Sequence, residues 1–446
     1  MGDVRPGCTK EAGVGRRRSS EPEAADRARP RRRGSPSKPV PSSSGRRAGS
    51  RTSSEGDAAP SGSGGVPRDA PGVPGAAAYG ELVPVLRWLE TPGIANPELA
   101  EKVRRRALGA VLGATVADAA AMGVQGVLDL SLLDKLAAER GADEQDPQGL
   151  EFVDPPRGPL WQYADGQSTI FGEQAHVLLK TLVHEGGLNC NKYAALNFAA
   201  FAAAEGGRFK DASTKGFLRA YEAGQMPPAC GVDDCQASCF TRLVPLVALY
   251  AGHPRLPALV ERCVRTTQDS HAAVAWGVAA AVILEGVVLG KTVTGAMKAA
   301  VSGLLNPRAR GAALDGEASG AVQALGGEVV HALAVVLRLL DDKTPAPEAL
   351  ARLGRHSHLP MPLQTAVLLL LQTEQHMGKA HALERYREGV RGALRGGGCC
   401  ASRAMFVGAC LGARGGADAV PVRWRKRTRK HRECFALAER LCALRD

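Results

Sequence analysis

Two stretches of small residues set the tightest limit on how this chain can fold. Ala107–Ala121 reads ALGAVLGATVADAAA, and Ala404–Ala413 reads AMFVGACLGA with Gly408 and Gly412 four apart on one helical face. Helices faced with Gly and Ala bring their backbones close together, so tightly packed helices are expected. The remaining pattern agrees. Pro97–Met122 carries Leu99, Val103, Ala107, Leu108, Val111 and Leu112 as a helical stripe, and Asn96-Pro97 supplies an N-cap followed by a first-turn proline. Further helices are expected at Glu81–Trp88, Leu130–Glu139, Glu173–Val183, Asn191–Ala204, Phe240–Ala251, Leu256–Thr266 and Ala272–Leu289. Thr292–Leu305, Glu317–Leu340, Pro347–Leu353, Leu363–Thr373 and His381–Arg395 complete the set. No alternating run is bounded by Asn-Gly or Asp-Gly turns, so strands are not expected. The expectation is an all-α, compact multi-helix bundle without a short internal repeat.

Residues 1–80 stand apart from that bundle. They are rich in Arg, Ser, Pro and Gly and nearly free of large apolar side chains, so they are expected to be disordered. Charge is divided in the same way. Residues 1–79 hold 15 Lys/Arg against 8 Asp/Glu, residues 403–446 hold 11 against 4, and the centre, 80–402, holds 31 against 33. The all-helical domain is placed at 81–416, and 417–446 is expected to be a basic, partly helical tail. The tail's run from Arg423 to Lys430 has the charge to touch nucleic acid or a membrane surface, or to stand as a solvated tail or import signal. No groove-reading motif accompanies it, so nucleic acid is not expected as the main partner.

Eleven scattered cysteines in a chain without a secretory signal read as free thiols in a reducing compartment, so an intracellular protein is expected, cytoplasmic in the first place, with nuclear or organellar settings left open. The C-x4-C-x3-C group of Cys230, Cys235 and Cys239 does not match a standard zinc spacing. The longest apolar run, Ala272–Leu284, stops at Glu285, short of the ~20 residues a membrane span needs. The sequence carries no signal for an oligomeric state.

Four segments have the look of a site: the helix ending at Asp118, the stretch Ser168–Val183, the polar cluster Arg265–His271, and the glycine turn Gly396–Arg403 (GGGCCASR). With VADAAA at Val116–Ala121, FGEQAHVLLKTLV at Phe171–Val183, LVPLVALYAG at Leu243–Gly252, VERCVRTTQ at Val260–Gln268, GRHSHLP at Gly354–Pro360 and GGGCCASRAMFVGACLGA at Gly396–Ala413, their order and spacing resemble the ADP-ribosylglycohydrolase family. The resemblance is closest to its J-type crystallin branch and covers roughly Pro97 to Gly416.

The resemblance implies a compact all-α fold in which two Mg²⁺ ions, held in a central cleft by several carboxylates, serve cleavage of a glycosidic bond to ADP-ribose. Family enzymes carry those carboxylates in a Thr-Asp-Asp-Thr motif and a Gly-Gly-Asp-Thr-Asp-Thr motif, each opening a helix. Here Phe171-Gly172-Glu173-Gln174 stands at the first and Gly398-Cys399-Cys400-Ala401 at the second, so one acid survives, as Glu173. Asp118 matches the family's Gly-Asp motif with Ala117 replacing the glycine, Gln268 and Asp269 stand at its Thr-His, and Asp165 lies just ahead of the first motif.

These matches make Glu173 the candidate catalytic residue and Asp118 and Glu173 the candidates for a weakly held Mg²⁺ ion. Asp118, Gln174, Gln268, Asp269, Gly397, Gly398, Cys399, Cys400 and Ser402 are the candidate ligand-binding residues. Structural roles stand beside these: Asp118 bonding a neighbouring turn, Glu173 serving as a first-turn charge, Gln268 and Asp269 capping the next helix, the cysteines packing as small apolar groups. Hard Mg²⁺ gains little from Gly, Cys and Ala, so the dinuclear site is expected to be degenerate. The first expectation is therefore a non-catalytic relative that binds an ADP-ribose-like small molecule or serves structurally, as a crystallin does. The other is an active hydrolase with a remodelled centre drawn from Glu173, Asp118, Asp269 and Cys399 or Cys400.

Overall fold

The computed structural model describes residues 75–142, 149–160, 163–202, 209–305 and 320–446, all within one unit, Gly65–Asp446. Residues 1–74, most of the segment expected to be disordered, lie outside the described residues. Tyr79 is fully buried, so the packed body reaches back past residue 80. Among the described residues the structure is helical and without a strand; a single bridge joins Gln236 and His358.

The central pair is α1 (Pro97–Ala121) and α15 (Cys400–Gly415), separated in sequence by the whole intervening bundle. Their glycines interlock. A Cβ on Gly113 would sit 2.2 Å from the carbonyl oxygen of Gly408, and one on Gly109 would sit 2.3 Å from that of Gly412. Backbone therefore touches backbone, as the small-residue stripes predict, and this fixes the spacing of the two helices that reach the site. Between them in sequence come α2 (Leu130–Gly141), α3 (Ile170–Glu185), α4 (Cys190–Ala202), α5 (Ala212–Glu222), α6 (Ser238–Thr241), α7 (Val244–Tyr250) and α8 (Leu256–Arg265). Next are α9 (His271–Val288), α10 (Val293–Leu305), α11 (Gly320–Asp341), α12 (Ala346–Leu353), α13 (Met361–Met377) and α14 (Ala382–Arg395). Helix α9 is apolar all round, and all of its residues from Ala273 to Val288 except Glu285 are buried, as expected of a core helix. By length and composition Pro97–Val124 and His271–Val288 pass for membrane spans, but 89% and 83% of their apolar windows lie inside the fold.

Three expectations change. Glu81–Arg87 has no regular secondary structure and leads into a single 3-10 turn, Trp88–Glu90, because Pro84 lacks a donor and disfavours helix at Val83. The helix expected over Phe240–Ala251 is split in two, with Pro245 placed in the first turn of α7. Helix α5 was not anticipated; Asp211 starts it, accepting from the N–H of Thr214 at 2.8 Å.

The C-terminal segment packs firmly. Helix α16 (Val422–Arg427) buries Trp424 edge-on against Phe152, with centroids 6.2 Å apart. Helix α17 (His431–Ala443) lies on α1, α3 and α7, with Glu433 bonded to Lys180 at 2.7 Å and the Cys434 thiol 3.3 Å from His176 Nδ1. Arg445 stacks 3.7 Å over the Trp88 ring. The ten described cysteines are free thiols, and all but Cys235 are buried.

Candidate functional site

A cavity of about 230 Å³ opens where the N-termini of α3 and α15 meet the loop after α1. Gly398 and Cys399 line it from α15, Thr169, Ile170 and Phe171 from α3, and Gln125 from the loop. Asp211, Gln236, Arg355, His356 and Ser357 complete its polar wall. Leu128 and Phe209 stand at its mouth, 68% and 45% exposed.

Helix α3 begins at Ile170, three residues ahead of the expected Glu173. Thr169 is its N-cap, accepting from the N–H of Phe171 at 3.2 Å. Asp118 fixes that cap from the last turn of α1: Oδ2 accepts from the N–H of Thr169 at 2.9 Å, and Oδ1 accepts from its hydroxyl. Gly172 permits this approach, since a Cβ there would lie 2.0 Å from Asp118 Oδ2. Burial pushes Asp118 up to about 7, against the pull of the Thr169 hydrogen bonds. Its carboxylate is thus spent on holding the α3 terminus and does not line the cavity.

Glu173 also turns away from the cavity. Its Oε2 takes the Lys430 ammonium at 2.5 Å, on the side facing α17. Gln174 is buried and donates to Thr214 Oγ1 at 2.9 Å and to Asp211 Oδ2 at 3.5 Å. Asp211, which the sequence reading missed, is the carboxylate that reaches the cavity wall. It accepts from Ser213 Oγ at 3.1 Å and Ser238 Oγ at 2.6 Å besides its helix cap. The available signal was an Asp directly before Ala-Ser-Thr at a helix start.

Gln268 and Asp269 lie behind the wall, and neither caps α9, whose N-cap is Ser270. Gln268 Oε1 accepts from Arg242 Nη2 at 2.6 Å, and its amide donates to Asp234 Oδ2 at 3.3 Å. Burial raises Asp234, and the negative charge of Asp211 raises it further. Asp269 pairs with Arg265 at 2.7 Å. These residues brace one another and reach the cavity only through Asp211 and Gln236.

The glycine turn is built as its composition suggests, with Gly397 and Gly398 at φ of 61° and 58°. Its backbone, however, is already in use. The N–H of Cys399 donates to Arg355 O at 2.7 Å, that of Gly398 to Val127 O at 2.6 Å, and that of Ala401 to Gln125 Oε1 at 2.8 Å. Arg403 donates to the carbonyls of Ala393 at 2.8 Å and Gly397 at 2.7 Å, clamping the turn from behind. Cys399 Sγ lies 3.0 Å from Ser402 Oγ, and burial raises its pKa despite nearby Arg403. Burial pushes the Cys400 thiol up to about 12. Both therefore stay protonated near neutral pH, poor nucleophiles and poor ligands for a hard cation.

The carboxylates expected at a magnesium pair have other partners. Among the described residues no group of three His, Cys, Asp or Glu side chains is placed to hold a metal ion. Mg²⁺ wants several oxygen ligands, usually carboxylates, in octahedral array. Here Asp118 is committed to Thr169, Glu173 to Lys430 and Asp165 to Arg427 at 3.0 Å.

Comparisons with known proteins converge on one family. The family model described as ADP-ribosylglycohydrolase matches residues 99–446. Crystallin J1B of Tripedalia cystophora is 27% identical over 355 residues, covering 76% of this chain and 97% of that protein. Crystallin J1A of the same animal is 25% identical over 354 residues, with the same coverage. A solved structure titled an ADP-ribosylglycohydrolase-related protein complex superposes with a TM-score of 0.53 at 21% identity. It covers 78% of this chain and 100% of its own, a likeness of fold. By the span of that match, this chain belongs to the ADP-ribosylglycohydrolase family.

Proposed function

We propose that this protein is a non-catalytic, ligand-binding member of its family, a hydrolase fold that kept a cleft and lost its dinuclear magnesium centre. The observation that carries the proposal is the cavity wall. Its two helix starts present Thr169-Ile170-Phe171 and Gly398-Cys399, with no carboxylate between them. The acid that does line it, Asp211, already accepts from Ser213, Thr214 and Ser238. Hydrolysis needs a group that activates water; a carboxylate with its oxygens engaged is a weak one, which leaves His356 as the other titratable side chain on the wall besides the Cys399 thiol.

What remains suits binding. Phe171, Phe209, Leu128 and Pro159 offer apolar surface, while Gln125, Gln236 and Arg355 offer polar and cationic contacts. An ADP-ribose-type small molecule, the class its family handles, combines a flat base with anionic phosphates and fits that division. Gly398 and Cys399 would touch it. Asp118, Gln174, Gln268, Asp269, Gly397, Cys400 and Ser402 support the wall from behind. Relatives named as crystallins favour reuse of the fold without its chemistry, and the buried free thiols favour a reducing, cytoplasmic setting.

Calorimetric titration tests this directly. ADP-ribose is expected to bind equally with Mg²⁺ or with a chelator present, and purified protein to leave an ADP-ribosylated peptide intact. Micromolar Mg²⁺ binding or turnover of the peptide by purified protein would overturn the reading, and loss of either in Glu173→Gln would assign it to Glu173.

A further inference from the structure

The basic stretch 422–432 has a use that the cleft does not absorb. Its inward side chains serve the fold: Trp424 and Thr428 are buried, Arg427 pairs with Asp165 and lies 4.9 Å over the Phe152 ring, and Lys430 holds Glu173. The outward ones are cations close together in sequence, of which Arg429 donates its Nε–H to the Asp165 carbonyl at 2.9 Å. Lys426, Arg429 and Arg432 are exposed, with half-buried Arg425 among them. The nearby acids are engaged elsewhere, Glu433 on Lys180 and Asp165 on Arg427.

Two groups in this stretch are shielded from water and lack a partner: Arg425 Nε and His431 Nε2. They belong together, because His431 is held below its ordinary pKa first by burial and then by the charges of Arg425 and Arg432. Like charges gathered around an unpartnered guanidinium N–H are costly without an anion to meet them. No other part of the chain supplies that anion in quantity. Residues 1–79 carry a net positive charge and 80–402 are near neutral, so neither stretch carries a large excess of acid.

We infer that this surface binds the phosphate backbone of a nucleic acid without regard to sequence. Lys426, Arg429 and Arg432 contact successive phosphates, and Arg425 with His431 forms the notch between them. A phosphodiester chain suits these cations better than a bilayer does. Val422 is the one exposed large apolar residue in the stretch, and Trp424, the side chain best suited to enter a membrane interface, is 6% exposed.

The test uses the full chain and a fluorescent duplex of about 20 base pairs, read by anisotropy from roughly 50 to 200 mM salt. Three phosphate contacts give a log–log salt slope of about −2.7, so affinity falls about 40-fold over that range. Lys426→Glu/Arg432→Glu is expected to weaken binding at least about 10-fold at low salt and to flatten the slope by about 1.8. Lys426→Ala/Arg432→Ala shows the same direction without charge reversal, and thermal melting confirms that both variants fold. Equal binding by wild type and both variants, or binding to phosphatidylserine vesicles with none to DNA, refutes the inference.

Discussion

The contact between α1 and α15 makes one substitution diagnostic. In Gly113→Ala the new Cβ would meet Gly408 O at 2.2 Å, Gly408 C at 3.0 Å and Gly412 Cα at 3.1 Å. Ordinary contact begins near 3.4 Å, so the helices must part by about 1 Å. Backbone on both sides leaves no flexible side chain to give way. A gap of that size forfeits about a quarter to a half of the dispersion energy of each affected atom pair. Overpacking of this kind costs about 1–3 kcal/mol, and the upper end is expected where backbone meets backbone. Against this stands a gain of at most about 1 kcal/mol from replacing glycine inside a helix. Gly327→Ala isolates that gain, since Gly327 lies exposed on α11 with nothing within 4 Å of its Cβ position. Urea unfolding of both variants should therefore give opposite signs: Gly113→Ala destabilised by about 2 kcal/mol, Gly327→Ala stabilised by up to about 1 kcal/mol. If Gly113→Ala matches Gly327→Ala, the close helix contact is wrong.

Two further outcomes follow from the site. Asp118 has a folded pKa of about 7, above its ordinary value, so the folded state holds that proton more tightly than the unfolded one. Its contribution is therefore fully present below pH ~4 and fades as pH rises towards ~7, by at most about 4 kcal/mol. Asp118→Asn should remove that dependence, and a wild-type-minus-variant stability difference that is equal at pH 5 and pH 8 would contradict it. The Glu173–Lys430 pair is partly solvent-exposed, so Lys430→Met should cost no more than about 1 kcal/mol. A loss several times larger would mean that Lys430 holds more than an ion pair.

Sequence legibility followed the range of the forces involved. Helical periodicity and the glycine stripes act locally, so Pro97–Ala121 and the glycine turn were readable within a residue or two. The start of α3 was not, because Thr169 is made a cap by Asp118, which is fifty-one residues away and belongs to another helix. That shift places Ile170 and Phe171 at the cavity and turns Glu173 towards α17. Lys430 as its partner was equally hidden, since a run of Arg and Lys reads as a solvated tail until its acidic counterparts are located. Asp211 was missed because a capping aspartate and a cavity-lining aspartate look identical in one dimension.

The pairing of α1 with α15 also bears on how the chain becomes folded. Gly113 and Gly408 meet across nearly three hundred residues, and Arg445 closes over Trp88 across a longer span still. During synthesis α1, whose second half from Ala107 is almost wholly apolar, emerges long before its main partner exists. Contacts this distant in sequence slow folding and leave incomplete chains prone to association. Refolding of this protein should accordingly be concentration-sensitive, with the arrival of α15 rather than local helix formation as the moment at which the core can close.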